Sequence, residues 1–341
     1  MAKLNSSLMI LVGLLSIATL VLSANISVKK IIGIAQFFHL STTFMGMTVL
    51  SLATSIPEIT SHFTASINIL AGNLDYKIGS AIVLGSNIGS DNVQQTLIMG
   101  IVVLLSGTLY FRRYFIKKSM IPMIGTALIC VVLGLDGTYS RFDGIVLFGL
   151  FIAYTYYLYI DERKHYKKED KVKSDESKDE IDTPQSINKV LVDSLITLAM
   201  IVITIFSASI VLNITEIIVQ RTGVGGSLFG VMTLGVASAM PELFTALAGI
   251  RHNHHGVSLG TLIGSNITNP LVAIGGGALL STYSVPQPVL LWDLPFGIFS
   301  GIVLWIILWF SKGKLKKIHA FYLIAIYFAY LSMRAIFFNV D

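Results

Sequence analysis

Glu58 and Glu242 are the residues on which a chemical reading can start. Each follows a proline, in Ser51-Leu52-Ala53-Thr54-Ser55-Ile56-Pro57-Glu58 and in Gly235-Val236-Ala237-Ser238-Ala239-Met240-Pro241-Glu242. Each lies in a stretch otherwise apolar enough to cross a membrane, where a carboxylate is expensive and marks a functional site. At helical spacing, Ser51, Thr54, Ser55 and Glu58 share one face, and Gly235, Ser238, Ala239 and Glu242 share the equivalent face. Each proline lacks an amide hydrogen, so the carbonyl four residues earlier, that of Ala53 or Ala237, loses its donor. Carboxylates, hydroxyls and released carbonyls make an all-oxygen environment. Hard cations such as Ca²⁺ and Na⁺ take such an environment, and no thiolate or imidazole set is present to favour zinc or copper.

A second pair of motifs adds polar groups. Gly85-Ser86-Asn87-Ile88 recurs as Gly264-Ser265-Asn266-Ile267. Ser86 with Ser90, and Ser265 with Asn269, are spaced i, i+4 and so share a helix face. Asn87 and Asn266 are further candidates beside them. Asp91 is one step out of register and in a regular helix points about 140° away from Ser86. A break at Gly89 and Ser90 would swing it inward. His62 stands one turn after Glu58, but Ala246 takes its place in the second copy. It therefore reads as a locally hydrogen-bonded histidine before it reads as a proton carrier. His252, His254 and His255 read as a plain polar loop, and Gly275-Gly276-Gly277 as a site of close helix packing.

Charge counting suggests what such a site would do. Two ionised glutamates facing each other carry two negative charges, which one Ca²⁺ or two Na⁺ neutralise. Left uncompensated in a low dielectric, the pair is costly, so the empty site resists crossing the membrane, as an exchanger requires. Protons can neutralise the same pair. The pattern alone therefore permits Na⁺/Ca²⁺ or H⁺/Ca²⁺ exchange. No Ser-His pairing with an elbow glycine pattern and no zinc motif supports an intramembrane enzyme. An ion channel would more naturally build its path from a ring of subunits. No cofactor is implied. The partners are the lipid bilayer and the ions Ca²⁺ and Na⁺, with H⁺ as the alternative. No nucleic acid and no obligatory protein partner is expected.

The elements that must position these groups are membrane spans. Of 341 residues, 54% are hydrophobic and 13% charged, about half the charge of a soluble domain. The expected fold is all-α, with ten spans near 6–24, 32–72, 77–109, 119–135, 143–160, 188–213, 226–250, 256–283, 289–310 and 317–336. Breaks are expected near Pro57 in the second span, near Gly85 to Ser90 in the third, near Pro241 in the seventh and near Gly264 to Pro270 in the eighth. The charged stretch 161–187 reads as a solvated cytoplasmic linker between a first five-helix repeat, 1–160, and a second, 188–341. When Pro57 is laid on Pro241, Gly46 meets Gly230, Leu50 meets Leu234 and Glu58 meets Glu242. With five spans in each copy, the second span runs from inside to outside and the seventh from outside to inside, the inverted-repeat pattern of many secondary transporters. All but five of the 24 basic residues (Lys3, Lys77, Arg141, Arg221 and Arg334) fall inside if the N-terminus is outside. The expected location is the cell membrane, multi-pass, with both termini outside. Cys130 is the only cysteine, so no intramolecular disulfide forms.

The stretch Thr54 to Glu58 with Gly85 to Ile88, repeated as Ser238 to Glu242 with Gly264 to Ile267, resembles the two alpha repeats of the sodium/calcium exchanger family. The resemblance is greatest to prokaryotic members, which lack a large cytosolic domain. Gly134-Leu135-Asp136-Gly137 with Phe142-Asp143-Gly144 also resembles that family's turn between spans four and five. The resemblance implies a ten-helix inverted-repeat antiporter in which the two outermost helices slide across a fixed core and Na⁺ entry drives Ca²⁺ export. It implies Glu58 and Glu242 as central ligands, with carbonyls or hydroxyls from Ser51, Thr54, Ser55, Gly235 and Ser238. Ser86 and Ser265 would line flanking Na⁺ sites. Members commonly carry Asn or Asp at the positions of Ser90 and Asn269; here the first is serine, with Asp91 displaced by one. Ala239 stands where a hydroxyl is usual. The topology is open to a direct test. A reporter active only outside the cytoplasm should be active when fused after Asp341 and silent when placed in the charged linker; the opposite result inverts the assignment.

Overall fold

With no water in the hydrocarbon layer, the backbone of an apolar run satisfies itself by coiling into a helix. The computed structural model describes residues 6–37, 46–111, 113–165, 184–251 and 255–341. Among these residues the chain forms ten helical spans. We label the principal helices α1 (Ser6–Phe37), α2 (Ile56–Leu70), α3 (Tyr76–Val93), α4 (Arg113–Leu133), α5 (Arg141–His165), α6 (Ile187–Thr222), α7 (Met240–Arg251), α8 (His255–Thr268), α9 (Leu294–Phe310) and α10 (Lys317–Phe337). The described part of the second span ahead of α2 runs from Gly46, and the seventh span begins at Gly226, ahead of α7. The third and eighth run on past α3 and α8 to Ser106 and Ser281. Among the described residues, eight spans are long and apolar enough to cross a membrane. The second and the eighth complete the ten, and they carry much of the polar site.

Four two-residue strands sort the loops onto two sides. Leu109–Tyr110 (β1) pairs with Lys314–Leu315 (β4), both in loops expected inside. Thr138–Tyr139 (β2) pairs with Tyr283–Ser284 (β3), both expected outside. On the β2–β3 side, the amide of Gly225 donates to Asn339 O at 2.8 Å and that of Asp75 to Glu216 Oε1 at 3.0 Å. On the other side, Lys30 pairs with Asp193 at 2.8 Å and Lys118 with Asp161. Every contact joins loops that the ten-span alternation puts together.

Several expectations are corrected. α1 continues unbroken through Lys29 and Lys30 to Phe37, so residues 32–37 belong to the first span. The ion pair of Lys30 with Asp193 lets that basic turn stay helical against α6. Asp161 to His165 extend α5 instead of opening the linker; residues 166–183 and His252 to His254 lie outside the described residues. The third span is not broken at Gly85 to Ser90, because α3 is regular from Tyr76 to Val93. Its glycines serve close approach. A Cβ on Gly85 would lie 2.2 Å from Ser227 O, and one on Gly230 2.3 Å from Ile82 O, so α3 and the seventh span pack backbone on backbone. Gly264 likewise sits inside regular α8, where a Cβ would come 2.9 Å from Ser51 Cβ. The irregularities are π-helical turns at Gly46–Leu50, Gln94–Ile98, Gly230–Leu234, Asn269–Ile274 and Val289–Asp293, and the one at Asn269–Ile274 ends the regular helix at Pro270 as expected. The glycine trio at 275–277 packs closely, as expected: Gly275 faces Leu147 and Gly276 faces Phe63, each at 2.9 Å from a would-be Cβ.

α1 and α6 lie side by side, joined by Ser23 Oγ and Thr204 Oγ1 at 2.8 Å. They leave Leu14, Leu22, Leu198 and Phe206 exposed, as lipid-facing helices do. Arg334 is not an outer-surface cation. It is fully buried, with Nε 3.0 Å from Asp293 Oδ1. Tyr330 Oη donates to the same carboxylate at 2.6 Å, and Arg334 also reaches Ser227 Oγ. Replacing Arg334 by Met should strand Asp293 and cost about 3–5 kcal/mol, whereas replacing both residues with apolar ones of similar volume should recover most of it. Thermal unfolding in detergent measures both.

Candidate functional site

Two matched hinges build the site. The short helix Ser51–Thr54 stops at Ser55 (φ −77°, ψ 5°), and α2 restarts at Ile56 with Pro57 in its first turn. In the second copy Gly235–Ser238 stops at Ala239 (φ −78°, ψ −4°), and α7 restarts at Met240 with Pro241 next. Proline suits that place because the first turn of a helix has no intrahelical use for its amide hydrogen. Glu58 and Glu242 thereby sit in the first turns of α2 and α7, at the end of the helix dipole that favours negative charge.

The halves interlock through hydroxyls. Ser51 Oγ lies 2.5 Å from Thr268 Oγ1, and Thr54 Oγ1 lies 3.2 Å from Ser265 Oγ. Ser90 Oγ donates to Glu58 Oε1 at 2.7 Å. The polar face of the second span therefore meets α3 and α8, inside the bundle, as its sequence face required. Glu58 and Glu242 are both buried and lie within electrostatic reach of each other. Glu58 Oε2, both oxygens of Glu242, Ser55 Oγ, Asn87 Oδ1 and Asn269 Oδ1 are buried with no hydrogen-bond partner among the described residues. Buried polar atoms are normally satisfied, so such a concentration calls for an explanation. Carboxylate, hydroxyl and amide oxygens together are the donor set of a hard cation.

The other candidates divide. Ser86 is buried, and a Cβ on Gly235 would come 2.9 Å from its carbonyl oxygen. Ser238 Oγ back-bonds to Gly235 O at 3.4 Å, and Asn87 Nδ2 donates to Asn269 O at 3.4 Å. Asn266 is committed: its amide donates to Leu262 O at 2.7 Å and to Gln94 Oε1 at 3.1 Å, and its oxygen accepts from Gln95 Nε2 at 2.7 Å. Asp91 is not swung inward, because α3 does not break; it accepts from Asn269 Nδ2 at 2.8 Å. His62 is held locally, with Nδ1 3.1 Å from Tyr283 Oη. Three residues of this network were missed by the sequence reading. Thr268 meets Ser51, Gln94 donates to Ser90 Oγ at 3.1 Å, and Gln95 accepts from Ser300 Oγ at 2.9 Å. Their signal was visible: Gln94 is i+4 from Ser90, and two adjacent glutamines are unusual in a span.

A model of the sodium/calcium exchanger protein family matches residues 8–160 and 194–335. The chain belongs to that family. Among relatives, the inner membrane protein YrbG of Escherichia coli is 27% identical over 251 residues, 73% of this chain and 72% of that one. The sodium/calcium exchanger MaX1 of Methanosarcina acetivorans is 24% identical over 350 residues, covering 94% and 97%. The fold is that of the sodium-calcium exchanger NCX_Mj, solved after soaking in 10 mM Na⁺ and 10 mM Sr²⁺. That match has a TM-score of 0.64 at 22% identity, over 96% of this chain and 99% of the other. For this exchanger-family chain the hydroxyl contacts make a stability prediction. Ser51→Ala should cost roughly 0.6 kcal/mol, the average for an interhelical hydrogen bond in a membrane. Ser55→Ala removes no bond and should leave the melting temperature in ion-free detergent unchanged.

Proposed function

We propose that the chain exchanges Na⁺ for Ca²⁺ across the cell membrane by alternating access, with the two ions competing for a central site around Glu58 and Glu242. The observation that carries this reading is the pair of buried carboxylates, three of whose four oxygens make no close hydrogen bond among the described residues, while Ser238 stands near Glu58 and Thr54 and Ser265 stand near Glu242. One Ca²⁺ or two Na⁺ neutralise the pair, so either load lets the site turn over, and the empty site is held back by the cost of two uncompensated charges. Ser51, Thr54, Ser55, Ser90, Ser86 and Ser265 supply hydroxyls around them, with Ser238 and Asn269 from the second repeat. Gly235 supplies a carbonyl. Family membership and the name of the relative MaX1 support Na⁺ as the coupling ion.

The α1–α6 pair supplies the moving part. It shares an apolar outer face and a joined inner seam, while the core beneath it is packed backbone on backbone. Exchange of this kind runs down the larger gradient, so an inward Na⁺ gradient exports Ca²⁺.

Glu58→Gln and Glu242→Gln should each reduce Na⁺-gradient-driven ⁴⁵Ca²⁺ uptake into proteoliposomes to background. Near-normal uptake by either variant would remove the proposed site. Run with each gradient separately, the wild type should respond to Na⁺ and not to a pH gradient. Uptake driven by pH alone would assign the same glutamates to H⁺/Ca²⁺ exchange.

A further inference from the structure

Beside Asp91, which accepts a hydrogen bond from the central-site residue Asn269, lies a small chamber. Its volume is about 10 Å³, at the lower limit for one water-sized occupant. α3, α4, the eighth span and α9 wall it, and Asp91, Asn92, Gln95 and Asn266 line its polar side. Asp91 is 6% exposed. One of its oxygens accepts from Asn269, and among the described residues no lysine or arginine pairs with it. Asn92 has no exposed surface; its amide nitrogen donates to Asp293 O at 3.0 Å, and its Oδ1 has no hydrogen-bond partner among the described residues. That oxygen faces the gap over Gly297, where an added Cβ would lie 2.8 Å from it, and Gly297 is part of the chamber wall.

A carboxylate at membrane depth needs a countercharge. A single carboxylate calls for one positive charge, so a divalent ion would overshoot. Carboxylate and amide oxygens are hard donors suited to an alkali cation. We propose that this chamber holds one Na⁺, ligated by Asp91 and Asn92 and distinct from the ions of the central site. Glu58 lies within electrostatic reach of Asp91, so the occupant lowers the negative charge acting on the central carboxylates without entering the transport path. Through Asp91 it also fixes the amide of Asn269.

The test uses full-length protein in detergent in which the central glutamates are neutralised, E58Q/E242Q. It should retain saturable ²²Na⁺ binding, and its melting temperature should rise when NaCl replaces choline chloride. Adding D91N should abolish both. Adding G297A, which fills the gap before Asn92 and leaves the charge in place, should weaken ²²Na⁺ binding roughly tenfold or more. It also decides the matter if D91N fails to fold. Absence of ²²Na⁺ binding in E58Q/E242Q, or its persistence in both added variants, would overturn the proposal. Because the binding is read with Glu58 and Glu242 already removed, these outcomes are independent of whether those residues carry Ca²⁺.

Discussion

A carboxylate at membrane depth costs about 2.5–3.5 kcal/mol even on the mildest scale, and this chain buries Glu58, Asp91, Glu242 and Asp293. It meets that cost in two ways. Asp293 receives a permanent partner, Arg334, with Tyr330 closing the cage. Glu58 and Glu242 receive hydroxyls and helix starts but no fixed cation among the described residues. A permanent counterion makes a structural joint. Carboxylates left without one define a place where a mobile ion can supply the charge, which is what the proposed exchange needs. The hinges at Ser55 and Ala239, the inverted repeat and the tight core all serve to hold those two carboxylates close together and away from water.

The hinges were legible because proline and glutamate leave a local mark. A missing amide hydrogen ends a helical turn wherever it falls, so Pro57 and Pro241 announced their breaks without knowledge of neighbours. The same holds for the shared face of Ser51, Thr54, Ser55 and Glu58, which follows from spacing alone. Glycine leaves no such unambiguous mark. Gly85 and Gly264 were read as weak points, yet both lie inside regular helix where another backbone comes close. That backbone belongs to the other repeat, and nothing within a residue's own span reports it.

The π turns set the other limit. A face projected at 3.6 residues per turn holds only while the helix keeps that pitch. At Gln94 and again at Asn269 the pitch widens, and residues beyond are rotated relative to the projection. Gln94 and Gln95 thus join the site network, although they lie past the motif that the sequence displayed. Asp91 went the other way. The inward swing left open for it depended on a break that the close packing of Gly89 against Val231 does not allow. Arg334 escaped for a simpler reason: at the end of a span, a basic residue looks the same whether it faces solvent or an acid 41 residues earlier.

The interlocking of the repeats has a consequence for how the chain is made. Thr54 and Ser51 find Ser265 and Thr268 only in the second half. Gly85 finds Ser227 there, and β1 and β2 find β4 and β3. As ribosomes feed the protein into the bilayer, the first five spans enter with their inner surfaces cut to fit helices that have not yet been synthesised. Asp293, too, finds Arg334 only when α10 is in place. The polar interior of the first half therefore stays incomplete until the second half is inserted, and until then lipid headgroups, water or an insertion factor has to shelter it.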